Sequence, residues 1–297
     1  MSFVAWIAGC GRLGFDAIGD GGAVDAADVG SSDVGTSDAG ACTYPTARVV
    51  SEIDTADGEY QPTISRDGRR LCFARTVGDA TGLWCSTHDG VGWGAPREQS
   101  MLNVRPNVAR MPALSDDGDV IYYVSDRSSG AGGDDIWMAR WSPMMGAFTG
   151  ATNVTEVNTS ADERGPELSP DQRALYFDRG PVGASRIFVA TRARATDAFG
   201  TPTMVSGTQA GDSELGIAPD GAHVVLCSTR PADGVGAGHT SLWCGSLAGD
   251  AISGLVAMRA PNMDGACSPA FGAVGELAFD VRGFPGGPGG SDVVTSP

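Results

Sequence analysis

Three glutamates, Glu59, Glu163 and Glu214, each stand just ahead of a short apolar segment. Two carboxylates facing each other across a bond are the machinery of acid–base hydrolysis, with their separation setting the outcome. These three become candidate acids at a channel mouth if the fold gathers their segments around one. The plainer role is to hydrogen-bond backbone or arginine and tie neighbouring units together, and we take it first, since no acid here stands in a glycosidase motif. The histidines, His88, His223 and His239, are scattered without metal spacing and read as surface or turn residues. The stretch from Asp126 to Asp135 mixes aspartate with glycine as a calcium loop would, but lacks the fixed spacing of an EF-hand and reads as a turn. No Gly-x-Ser-x-Gly elbow occurs and the chain has no lysine, which excludes that serine hydrolase arrangement and any lysine-dependent step. No metal or cofactor motif is found.

The elements that position these residues recur. Pro62-Thr63-Ile64-Ser65-Arg66-Asp67-Gly68 leads into Leu71-Cys72-Phe73, and Pro112 through Asp117-Gly118 leads into Ile121-Tyr122-Tyr123. Pro166 through Asp171 precedes Leu175-Tyr176-Phe177, and Leu215 through Asp220-Gly221 precedes Val224-Val225-Leu226. A decayed fifth copy runs from Pro269 through Val274-Gly275 to Leu277-Ala278-Phe279. Each is followed by a further apolar segment: Leu83-Trp84, Ile136-Trp137, Ile187-Phe188, Leu242-Trp243 and Val293-Val294. A period of roughly 50 residues with several short strands is propeller spacing. The Asp-Gly pair supplies a tight hairpin turn in which glycine takes positive φ at little cost. We expect an all-β fold: a single propeller of five four-stranded blades over residues 43–297. The run from Arg48 to Asp54 would complete the last blade and hide two sheet edges. Trp84, Trp137 and Trp243 share one repeat position and should pack between blades, while Trp93 and Trp141 lie outside it.

The second copy carries a resemblance: Ser125-Asp126-Arg127, a Gly-rich loop, then Asp134-Asp135-Ile136-Trp137. Together with the proline and Asp-Gly positions, this pattern resembles the TolB-type, WD40-like propeller repeat over about residues 58 to 297. The resemblance implies a propeller with envelope-protein partners as a class. TolB carries an additional N-terminal domain, whereas this chain has an acidic, low-complexity segment in that place.

Cysteine placement and the N-terminus bear on address. Cys72 and Cys85 fall on neighbouring strands of the first blade, and Cys227 and Cys244 repeat the arrangement in the fourth, so we expect the disulfides Cys72–Cys85 and Cys227–Cys244. Cys42 and Cys267 remain, and their pairing would staple the ring closure. Ile7-Ala8-Gly9-Cys10 resembles a bacterial lipobox, making Cys10 the expected lipidation site and residues 1–14 a short signal. Residues 15–42, rich in Asp, Gly and Ser, read as a solvated tether. Against 20 basic residues the chain has 36 acidic ones, a net charge of -16 that opposes nucleic acid and anionic membrane surfaces. The expected protein is thus an extracytoplasmic, outer-membrane-anchored module that contacts the membrane only through its lipid. It would bind an envelope protein or glycan, the alternative being a carbohydrate-active hydrolase or lyase.

Overall fold

The computed structural model describes residues 48–231, 240–258, 265–272, 275–282 and 291–296, and every helix or strand among them is a strand. Blade one comprises β2 (Gly58–Ile64), β3 (Arg70–Val77), β4 (Ala80–Thr87) and β5 (Arg97–Glu98). Blade two has β6 (Arg110–Leu114), β7 (Val120–Ser125), β8 (Asp135–Ser142) and β9 (Ala147–Asn153). Blade three has β10 (Glu163–Leu168), β11 (Ala174–Arg179), β12 (Arg186–Thr191) and β13 (Thr203–Met204). Blade four has β14 (Asp212–Ile217), β15 (His223–Ser228), β16 (Ser241–Ala248) and β17 (Ala251–Ala257). Blade five has β18 (Cys267–Phe271), β19 (Leu277–Arg282) and β20 (Ser291–Ser296), and is completed by β1 (Arg48–Val49). All pairings within blades are antiparallel, and the inner strands β2, β6, β10, β14 and β18 touch their neighbours in a closed ring. The protein is a five-bladed β-propeller.

Closure follows the expected route, although the closing strand is shorter than the Arg48–Asp54 run. Arg48 pairs with Thr295 and Val49 with Val294, Val50 N–H still donates to Val293 C=O, and the chain then turns. The second strands are apolar on both faces because each blade is sandwiched between two others. Leu71 and Phe73 pack with Ala278 and Val293 of blade five, whereas Cys72 packs with Ile121 and Tyr123 of blade two. Equivalent clusters join blades two and three, three and four, and four and five.

The Asp-Gly signature is a hydrogen-bonded device. Ser65 Oγ donates to Asp67 Oδ1, Asp67 Oδ1 accepts the Arg69 N–H, and Ser65 Oγ accepts the Arg70 N–H. The same three bonds recur at Ser115/Asp117 and at Ser169/Asp171. Glycine takes φ near +70° at Gly68, Gly118 and Gly221, and in the third copy Gln172 is held at φ 58° in its place.

Cys72 and Cys85 are directly opposed on β3 and β4 and are bonded. The expected Cys227–Cys244 and Cys42–Cys267 pairings are corrected: Cys227 is bonded to Cys267 of the next blade. The register explains it. On β15 and β16 Cys227 faces Leu242 and Cys244 faces Val225, so the two cysteines are offset by two residue pairs. Cys244 is itself disulfide-bonded. Cys10, Cys42, His239 and the tether lie outside the described residues.

Candidate functional site at the ring axis

Each inner strand carries a bulge at the same repeat position, and each bulge holds one residue at positive φ: Gln61, Met111, Gly165, Glu214 and Ser268. Four of the five are not glycine. An L-residue in this conformation costs about 1–2 kcal/mol, so the geometry persists only where surrounding bonds hold it. Those bonds run from blade to blade. The Met111 N–H donates to Gln61 Oε1 (3.1 Å), and the Gly165 N–H to Met111 Sδ (3.4 Å). Gly165 has no side chain to offer the next blade, and Asp178 on β11 substitutes, its Oδ2 accepting the Glu214 N–H (3.1 Å). Glu214 Oε2 accepts from Ser268 Oγ. Ser268 is short, and Asp280 on β19 receives the Gln61 N–H (3.2 Å), which completes the ring.

Gln61, Met111, Gly165, Glu214 and Ser268, with Thr63, Glu167 and Ala270 on the same strands, line the axial cavity. The axial cavity has a volume of about 30 Å³, room for roughly one water. Arg66, from the first Asp-Gly turn, crosses the turn end of the axis. Its Nε donates to Asp116 Oδ1 (2.8 Å) in blade two and its Nη2 to the Ile217 carbonyl (3.0 Å) in blade four. At the opposite end Arg110 and Arg164 both donate to Asp134 Oδ2 at 2.6 Å.

The electrostatics of this enclosure are unusual. Burial pushes the Glu214 carboxyl up to about 7, aided by the nearby Asp280 and opposed by the Ser268 bond and Arg110. Burial pushes Glu167 to about 7 as well, against the pull of Arg66 and the Ile217 N–H it accepts at 3.2 Å. Asp178 is raised well above the carboxylate range by burial and then by Glu214. Glu167 and Glu214 are both half-buried and line this cavity, whose volume leaves no room for a sugar ring.

The three sequence candidates separate. Glu214 lines the axis, whereas Glu59 and Glu163 do not, and their expected place at the channel mouth is corrected. Both are fully buried opposite an arginine on the adjacent strand: Glu59 accepts from Arg75 Nε (2.6 Å) and Glu163 from Arg179 Nε (2.8 Å). Thr55 and Thr159 cap them in the same way, each through backbone N–H and hydroxyl. The true counterpart in blade four is Asp212, paired with Arg230. The arginines also lie over the outer aromatic: Arg75 over Trp84, Arg127 over Trp137, Arg179 over Phe188 and Arg230 over Trp243. Sequence reasoning missed Glu167, Asp178 and Asp280. A signal existed: Glu167 is the one charged residue at a repeat position otherwise held by Thr63, Ala113, Gly216 and Ala270.

The other candidates are absorbed by local structure. Asp135 in the Gly-rich loop accepts the Ala131 and Gly132 N–H groups, so its carboxylate is spent on a turn. His223 Nδ1 meets Asp220 within the fourth turn, and His88 packs edge-on against Trp93 at 5.0 Å. Trp141 lies under Arg70 (3.8 Å) and against Phe148.

No protein-family model matches the sequence, nor does any curated protein. Among solved structures the chain is similar to TolB from Acinetobacter baumannii, with 13% identity and a TM-score of 0.51, over 81% of this chain and 55% of that one. It is likewise similar to a thermostable family-43 glycoside hydrolase, with 12% identity and a TM-score of 0.56, over 83% of this chain and 91% of that one. The native Bacillus subtilis arabinanase matches with 12% identity and a TM-score of 0.54, over 83% and 96%. At these identities the likeness is one of fold. It is shared by TolB and by glycoside hydrolases alike.

Proposed function

We propose that this propeller is a non-enzymatic binding or scaffold module of the bacterial cell envelope, presenting a face of its ring to a protein or glycan. The axial cavity of about 30 Å³ carries this reading, because the position where a propeller enzyme would gather its acids is filled by the bonds that hold the ring together. The disulfides support an oxidising, extracytoplasmic address, and the proposed anchor is a lipid on Cys10. Cross-linking in intact cells followed by affinity capture tests the reading: it predicts one specific envelope partner. Recovery of none, together with turnover of oligosaccharides, would overturn it. Palmitate labelling that is lost in Cys10→Ser tests the anchor.

A second reading, a carbohydrate-active hydrolase or lyase, is favoured by one observation: Glu167 and Glu214, both near 7, line the same cavity. It requires hydrolysis of arabino- or xylo-oligosaccharides that disappears in Glu214→Gln.

A further inference from the structure

A second cavity lies off the axis, on the outer side of blade one, with a volume of about 360 Å³. Its origin is legible in strand lengths. The outer strands β9 and β17 each run for seven residues, whereas β5 has two and pairs only with Trp84 and Cys85 of β4. The outer edge of the first half of β4, whose other edge pairs with β3, is therefore left without a strand partner. Asn103 partly replaces it, its Oδ1 accepting the Leu83 N–H (2.8 Å) and its Nδ2 donating to Leu83 C=O and Glu98 Oε1 (both 3.2 Å). Gly82 makes room for this amide, since a Cβ there would come within 2.5 Å of Asn103 Nδ2.

The lining mixes apolar, amide and charged groups. Trp84 forms one wall, partly exposed and held flat by Arg75, whose guanidinium lies 4.7 Å from the indole and is itself anchored by Glu59 and the Ile53 carbonyl. Asp57 and Arg105 also line the cavity, and among the described residues neither forms an ion pair. Arg75 is already compensated by Glu59, so Asp57, Glu98 and Arg105 set the local charge, and in a chain of net charge -16 this disfavours an anionic ligand.

We propose that this cavity is a binding site for a neutral saccharide. The volume falls at the lower end of the roughly 300–1,000 Å³ typical of ligand sites, enough for one or two sugar rings. Planar carboxylate, guanidinium and amide groups match vicinal hydroxyls in pairs, and a fixed indole offers an apolar platform with an N–H at its edge. The proposal rests on the binding reading above and gives it a ligand class and a location.

The test is isothermal titration calorimetry of the intact protein with cellotetraose, xylotetraose, mannotetraose and, as the charged comparison, tetragalacturonate. At least one neutral tetrasaccharide should bind, tetragalacturonate should bind at least tenfold more weakly, and Asp57→Ala and Arg105→Ala should each weaken the neutral ligand at least tenfold. Asp57 is half-buried and Arg105 exposed; circular dichroism checks that the variants fold, and Met144→Ala, at a distant exposed turn, should bind like the parent. Binding of none of the neutral sugars, preference for tetragalacturonate, or unchanged binding in Asp57→Ala and Arg105→Ala would overturn the proposal. If no sugar binds while cross-linking still captures an envelope protein, the saccharide site falls and the binding reading stands.

Discussion

Gln172 occupies the turn position that glycine fills at Gly68, Gly118 and Gly221, with φ at 58°. Relieving that conformation with Gln172→Gly should raise stability by about 1 kcal/mol, read as a higher denaturant midpoint with an unchanged slope. A lower midpoint would mean that the side chain supplies a compensating contact. The Glu59–Arg75 pair makes the opposite case. Both side chains are buried, so Arg75→Ala strands a carboxylate and should cost about 3–5 kcal/mol. Glu59→Gln leaves one acceptor oxygen for the donors of Thr55 and Arg75 and strands the buried guanidinium, so it should cost a comparable amount. A clearly smaller loss in Glu59→Gln would argue that packing of the arginine over Trp84 matters more than the charge.

At the scale of strands, the repeat was readable because each copy solves the same problem: a turn requiring positive φ, then a strand buried on both faces between blades. The closing strand was readable from a vacancy in the fifth blade. The second disulfide was not, because its partner depends on register. Cys72 and Cys85 oppose each other directly, while an offset of two residue pairs between Cys227 and Cys244 sends Cys227 to the neighbouring blade. The acids failed for a related reason. Glu59 and Glu163 precede a bulge, and Glu214 is the bulge residue; proximity in the chain hid this difference in direction. The inter-blade bridge Cys227–Cys267 closes 40 residues and Cys72–Cys85 closes 13. In the chain-entropy model, replacing the first pair by alanines should cost about 4 kcal/mol and the second about 3. Equilibrium unfolding of the two variants checks the order, and non-reducing peptide mapping should recover Cys227 linked to Cys267.

For the molecule as a whole, the enclosed carboxyls set the response to pH. Glu167 and Glu214 are raised from 4.5 to about 7. Asp54, raised from 3.8 to about 7 by burial, Asp292 and Glu59, joins them at the ring closure. The folded state thus keeps protons that the unfolded chain releases above about pH 4, and stability falls as pH rises from there through 7. Asp171, held below the ordinary range chiefly by its bond from Ser169, contributes stability that is lost in stronger acid. Thermal unfolding should accordingly show a maximum near pH 5 and a lower midpoint at pH 8, and Glu167→Gln should flatten the decline. A stability rising from pH 5 to 8 would contradict the enclosure of these groups.

The account turns on a ring whose axis is closed by its own blade-to-blade bonds. Met111 lines that axis and accepts the Gly165 N–H, whereas Met144 is 94% exposed. Hydroxyl-radical footprinting of the native protein, read by peptide mass spectrometry, compares the two directly. A closed axis predicts oxidation of Met111 at least tenfold slower than of Met144; comparable rates would show an axis open to solvent and substrate, and would contradict it.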